Sequence, residues 1–185
     1  MEEHAMVPHP QTETLVDFIT GRTVPNIGAE ENRQAVERFL VEEKGFFPTD
    51  ITVDLPLEVD IAGEIYRSKI DIVVRIAGRI LMCIKCAPGS LGSREREIVA
   101  AARLLTPFPS PYAVVSDGKT ALVIETLSGK RIAQGLDAVP SKDDATRRLS
   151  DMSPEAFPEE KRYREGLIFR SYDSMNVNRI MSGEA

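Results

Sequence analysis

Apolar positions recur along the chain with two periods, and the switch between them marks out the elements. In residues 29–44, Ala29, Val36, Phe39 and Leu40 fall at helical spacing with charged residues between them. Glu30 and Glu31 stand in the first turn, where the helix dipole favours acids, and Gly45 closes the helix. From residue 51 the period drops to two: Ile51, Val53 and Leu55, then Leu57, Val59 and Ile61. Pro56 lies inside this run and, lacking an amide proton, predicts an edge strand bent at that point. Residues 66–98 carry two apolar strands about a Gly turn, then a Pro-Gly loop and a charged helix start. In the first strand Ile70, Ile72, Val74 and Ile76 are predicted to share one face, and Asp71, Val73 and Arg75 the other. In the second, Ile80, Met82, Ile84 and Cys86 oppose Arg79, Leu81, Cys83 and Lys85. Like faces meet across an antiparallel pair. A three-residue loop, Ala77-Gly78-Arg79, achieves this by pairing Ile76 with Ile80, and it sets Asp71 opposite Lys85 and Val73 opposite Cys83. A two-residue loop would place Asp71 against Ile84 on an apolar face, and the pattern rejects it.

After Ala87-Pro88-Gly89, Ser93 is a candidate N-cap for a helix running to Leu105, with Ile98, Ala101, Ala102 and Leu105 toward the sheet. Pro107, Pro109 and Pro111 force an irregular loop. Residues 112–116 read as a short buried strand reached by a parallel crossover. Asp117-Gly118 predicts a turn, 120–126 a further strand, and Ser128-Gly129 another turn. Ser141 with Asp144 resembles a capping box, and 159–172 suit a C-terminal helix packing Leu167, Ile168 and Tyr172 on the core. Residues 13–20 suit either a short amphipathic helix or an extended arm. The chain therefore divides into an N-terminal arm or short helix (1–20), an α/β core (21–136), and a charged linker with a C-terminal helix (137–185). The fold class is α/β, a mixed sheet with a central antiparallel hairpin flanked by helices.

Composition narrows the setting. The 185 residues are 42% hydrophobic and 28% charged, as in an ordinary globular domain. No apolar run reaches the length of a membrane span, and no basic segment followed by an apolar core opens the chain, so the expected location is cytoplasmic with no membrane partner. The net charge of −6 opposes an unaided grip on duplex DNA, which needs a local basic patch or a partner protein. Cys83 and Cys86 form C-x-x-C, but i and i+3 in a strand point to opposite faces, no second Cys pair exists, and His4 and His9 lie near the N-terminus. The expectation is two reduced thiols in or near the core. Arg94, Arg96 and Arg103 on the following helix form either a phosphate-contacting patch or a solvated face paired with Glu95 and Glu97.

The hairpin carries the chemistry. Phosphodiester hydrolysis uses a divalent cation held by hard oxygen ligands, and a nearby lysine to orient water and meet developing charge. An aspartate in one strand facing a lysine in the next supplies part of that set. Glu30-Glu31-Asn32-Arg33-Gln34 opening a helix, the strand Lys69-Ile70-Asp71-Ile72-Val73-Val74, the strand ending Lys85-Cys86-Ala87-Pro88-Gly89, and Tyr112-Ala113-Val114-Val115-Ser116-Asp117-Gly118 occur in that order. Together they resemble the N-terminal nuclease domain of type I restriction enzyme R subunits, of the PD-(D/E)XK, restriction-endonuclease-like superfamily. The resemblance implies a restriction-endonuclease-like sheet and, if the site is active, a Mg²⁺-dependent DNA endonuclease. It assigns metal binding to Asp71, the site lysine to Lys85, and assistance to Glu30 or Glu31. The chain departs from the pattern at Cys83, which stands where the family has an acid two residues before the lysine; a thiol is a poor magnesium ligand. The expectation is therefore impaired or lost cleavage, with no cofactor in the latter case. Three alternatives stay open: a non-catalytic nucleic-acid- or protein-interaction module; an acid supplied instead by Glu95, Glu97 or the first-helix glutamates; or an ordinary Asp71–Lys85 cross-strand ion pair on another fold. The partners implied are DNA, alone or with a partner protein, and the chain leaves room for a homodimer.

Overall fold

The computed structural model describes residues 13–182; His4 and His9 lie outside them. Strand β1 (Thr14–Val16), within the segment for which the sequence allowed a short helix or an arm, pairs with β2 (Thr23–Pro25) in a two-stranded antiparallel hairpin. Helix α1 (Glu30–Glu42) follows, then β3 (Ile51–Ile61), β4 (Glu64–Ile76) and β5 (Arg79–Cys86). Helix α2 (Glu95–Leu105) crosses over to β6 (Tyr112–Ser116), which is followed by β7 (Ala121–Glu125) and β8 (Lys130–Gln134). Helices α3 (Lys142–Asp151) and α4 (Glu159–Ser182) end the described chain. The six strands β3 to β8 lie in sequence order in one sheet, antiparallel except where β5 and β6 pair in parallel across the α2 crossover. This is the mixed α/β class that the periodicities predict.

Each face of the sheet is covered by helices, as the alternation of side chains requires. Val73, Cys83, Ala113, Val115 and Ile124 pack under α2 and α4, against Ile98, Ala101 and Phe169. Ile72, Val74, Met82, Ile84 and Val114 pack against α1 and α3, through Val36, Leu40, Ala145 and Leu149. On α4 it is Phe169 that is buried; Leu167, expected in the core, is exposed. A 3₁₀ turn over Leu91–Arg94 precedes α2, and the Ser93 hydroxyl donates to Ser90 O instead of capping the helix. Ser141 does cap α3, accepting from Asp144 N.

The central hairpin closes differently from its sequence prediction. Ile76 pairs with Arg79 and Arg75 with Ile80, so the loop is the two-residue turn Ala77-Gly78, both at positive φ. The register then slips by one between Val74 and Arg75, leaving Leu81 as an extra residue, and resumes as Val74↔Met82, Val73↔Cys83 and Ile72↔Ile84. The bulge restores the pairing that the faces demanded by a route that periodicity does not reveal.

One turn fixes how α1 meets the sheet. In Ser116-Asp117-Gly118, Asp117 Oδ1 accepts from the amides of Lys119 and Thr120, and Gly118 has φ +80°. A Cβ at Gly118 would lie 2.6 Å from Ala35 Cβ, so this turn presses directly on α1. Gly118→Ala is expected to lower stability by about 2 kcal/mol, from positive φ and overpacking together. Thermal unfolding would check it, and an unchanged Tm would show that α1 can yield.

Candidate active site

The site forms where β5 ends and β4 continues beside β3 alone. At this point the two remaining strands turn over together. Val53 and Ile72 belong to the core on the α1 side, whereas Leu55 and Ile70 pack toward α2 and α4. Ile70 therefore does not share a face with Ile72, as strict alternation predicts. The reversal falls at Asp54, whose φ is +52°, and not at Pro56, and the ladder between β3 and β4 skips Asp54 and Asp71. Asp71 is thus placed on the seam of the sheet. Its Oδ2 accepts the Cys86 amide at 2.8 Å, in place of a ladder carbonyl, and its Oδ1 lies 3.4 Å from Lys85 Nζ. The structure brings Asp71 and Lys85 together, as the hairpin register predicts.

A second carboxylate reaches the same ammonium. Glu97, in the first turn of α2, is 2% exposed and places Oε1 3.1 Å from Lys85 Nζ. Its Oε2 lies 3.5 Å from Arg94 Nη1. Glu97 points inward because it sits one turn before Ala101, on the stripe that packs against the sheet. Glu95, two residues earlier, faces outward and pairs with Arg131. Burial acts to lower the Lys85 pKa, but the charges of Asp71 and Glu97, with a contribution from Asp173, outweigh it and hold the ammonium above its ordinary range.

Cys83 lies elsewhere. It is 0% exposed, within the apolar layer under α2, with the Ser110 hydroxyl 3.7 Å from its Sγ. Burial pushes its thiol up to about 12, so it is neutral at physiological pH. Cys86 faces the α1 side, is likewise driven up by burial, and forms no disulfide with Cys83. Among the described residues no group of three or more His, Cys, Asp or Glu side chains is arranged to hold a metal ion.

The first-helix acids are engaged with their own neighbours. Glu30 pairs with Arg33 at 2.6 Å and accepts from Gln34, and Glu31 accepts from Asn26 at 2.9 Å; neither bonds to Asp71 or Lys85. Helix α1 touches the site through Asn32 instead, whose Nδ2 donates to Ala87 O at 3.0 Å and holds the loop that leaves Lys85 and Cys86. Arg94 is drawn to Glu97, while Arg96 is exposed and lines a groove of about 730 Å³ between α2 and α4 with Arg103, Lys161 and Arg164. Arg103 is tied to Thr126 O, Leu127 O and Glu165. Asn32 was readable as part of a helix start but not as a clamp on a loop 55 residues on.

The family described as "Type I restriction enzyme R protein N terminus (HSDR_N)" matches this chain over residues 28–140. That stretch runs from the approach to α1 to the approach to α3, and it contains Asp71, Lys85 and Glu97. Neither the curated proteins nor the solved structures searched contain a match.

Proposed function

The chain belongs to the type I restriction enzyme R protein N-terminus family, and on that premise we propose that it is a PD-(D/E)XK-type DNA-cleaving domain whose second acid comes from α2. The observation that carries this reading is the 3.1 Å approach of Glu97 Oε1 to Lys85 Nζ, which Asp71 Oδ1 also meets, at 3.4 Å. The position two residues before the lysine holds a core thiol, and the carboxylate missing from β5 arrives from the helix.

The donor set suits a hard divalent cation. Asp71 and Glu97 each bring a carboxylate oxygen to the Lys85 ammonium, and a hard cation held by these two would take oxygen ligands. Those two residues would hold the ion, which supplies a water of lowered pKa and neutralises charge on the phosphate. Lys85, whose ammonium meets Asp71 and Glu97 here, would donate an N–H toward the attacked phosphate or the incoming water. The Cys86 amide fixes the Asp71 carboxylate in orientation, and Asn32 steadies the loop behind it. Arg96, Lys161 and Arg164 offer positive charge along the α2–α4 groove for the strand flanking the scissile bond. Glu95 and Glu165 line the same groove, engaged by Arg131 and Arg103.

The test is cleavage of plasmid and short duplex DNA with Mg²⁺ or Mn²⁺. Wild type is expected to cleave only with metal, and Asp71→Asn to lose about 10²-fold or more in rate. Absence of cleavage by the folded wild type with either metal would overturn the reading. It would leave the impaired site and a non-catalytic interaction module as the function.

A further inference from the structure

Helices α2 and α4 are tied together where they meet. Arg162 of α4 donates to Leu104 O at 2.8 Å and to Arg103 O at 3.1 Å, closing the C-terminal end of α2, and Arg103 pairs in turn with Glu165 at 2.9 Å. Arg103 also donates to Thr126 O and Leu127 O, each at 2.8 Å, which draws the β7–β8 turn against the two helices. The groove of about 730 Å³ therefore lies between three fixed walls. Val99, Leu127, Phe157 and Ile168 give it an apolar lining. Arg96 stands on the α2 wall, and Lys161 and Arg164, one helical turn apart, on the α4 wall. All three are exposed, and among the described residues none of them has an ion pair or a side-chain hydrogen bond. The acids beside them are already engaged, Glu95 by Arg131 and Glu165 by Arg103. Three uncommitted positive charges thus rim one apolar groove, in a chain whose total is −6.

The shape decides which form of DNA this groove suits. Packed helices lie about 8–10 Å apart. A duplex, whose major groove alone is about 12 Å wide, is met by a convex helix or ribbon and does not enter such a cleft. The volume falls in the range of small-ligand pockets, about 300–1,000 Å³, which accommodates about two nucleotides. Cations that follow a backbone, beside apolar side chains that meet base faces, are the combination that holds unpaired strands. We propose that the α2–α4 groove binds a short single-stranded segment of DNA, its phosphates on Arg96, Lys161 and Arg164 and its bases over Leu127 and Ile168. That the segment is a tail of the cleaved DNA rests on the nuclease reading, Arg96 directly preceding Glu97 on α2; the binding itself does not.

Fluorescence anisotropy of the full chain in EDTA measures binding without cleavage. The probes are a labelled oligothymidylate, a blunt hairpin duplex, and the same hairpin with a short thymidine tail. The single strand and the tailed hairpin are expected to bind about tenfold or more tighter than the blunt one. Their log K is expected to fall against log salt with a slope of about −2, as for three phosphates on a single strand. Changing Arg96→Gln, Lys161→Gln and Arg164→Gln together is expected to abolish the preference and most of the slope at unchanged Tm, since all three side chains are exposed. Leu127→Ser is expected to weaken tail binding and leave the slope. A blunt hairpin bound as tightly as the tailed one, or tail binding unchanged in the triple variant, would overturn the proposal. An oligoglutamate peptide that binds more tightly than oligothymidylate would also overturn it, giving the groove to an acidic protein partner. Groove-dependent tail binding by a protein that cleaves nothing would count against the nuclease reading alone. Metal-dependent cleavage with no preference for a tail would count against this proposal alone.

Discussion

Glu97→Gln is expected to reduce metal-dependent cleavage by about 10³-fold, while Cys83→Ala leaves the rate unchanged and lowers stability by about 1 kcal/mol. The contrast separates the two places from which the second acid could come. Glutamine has the shape of glutamate and still offers Lys85 an acceptor, so the buried position beneath Arg94 tolerates it. What it lacks is the anionic oxygen that a hard cation requires. Cys83 touches only the packed layer under α2 and the Ser110 hydroxyl, so its truncation removes one sulfur from the core and nothing from the cluster. Single-turnover rates with Mg²⁺ and Mn²⁺, alongside a Tm for each variant, make the measurement. Full activity in Glu97→Gln, or a loss confined to Cys83→Ala, would place the second acid or the chemistry elsewhere.

The hairpin half of this site was legible because period-two alternation has only two solutions, and just one puts Asp71 beside Lys85. The route to that solution was not legible. A bulge at Leu81 and a turn at Ala77-Gly78 give the same register as a longer loop, and side-chain pattern cannot distinguish them. The reversal of faces at Asp54 was hidden for a related reason. Val53, Leu55, Ile70 and Ile72 are all apolar, and both faces of the sheet are buried there. The sequence leaves Glu95, Glu97 and the first-helix acids as equal alternatives; a helix rotates by about 100° per residue, and its exact start sets which acid points inward. That start lies at Glu95, after a 3₁₀ turn, and not at Ser93. Strand β8 escaped because its residues Lys130 to Gln134 form an exposed edge, held by its ladder to β7 more than by an apolar face. The Tyr66–Asp173 bond joins residues 107 apart, and no local signal encodes it.

The resemblance assigns assistance to Glu30 or Glu31, yet the α1 acid that is fully buried is Glu37, and its effect is on stability. Glu37 is 0% exposed. Its Oε2 accepts the Ile19 amide at 3.3 Å, while its Oε1 has no hydrogen-bond partner among the described residues and faces Arg33 Nη1, also without one, at 3.7 Å. Arg33 is itself shared with Asp17 of the β1–β2 hairpin at 3.1 Å, with Glu30 at 2.6 Å and with Asp54 of β3 at 3.8 Å. Burial, reinforced by the charge of Asp17 and opposed by Arg33, raises the Glu37 carboxyl from 4.5 to about 7. Between those values the folded chain holds a proton that the unfolded chain releases. The contribution is therefore fully present below pH 4.5 and is lost as pH rises through 7, a change on the order of 3 kcal/mol. Glu37→Gln keeps the shape, carries no charge at any pH, and leaves Arg33 its three other carboxylates. It is expected to match wild type near pH 4 and to exceed it in stability at pH 8, with most of the pH slope between removed. Urea unfolding of both proteins across this range measures the difference, in which titrating groups not coupled to Glu37 cancel. Parallel pH profiles for the two proteins would show that Glu37 stays ionised, with Arg33 neutralising it inside the fold.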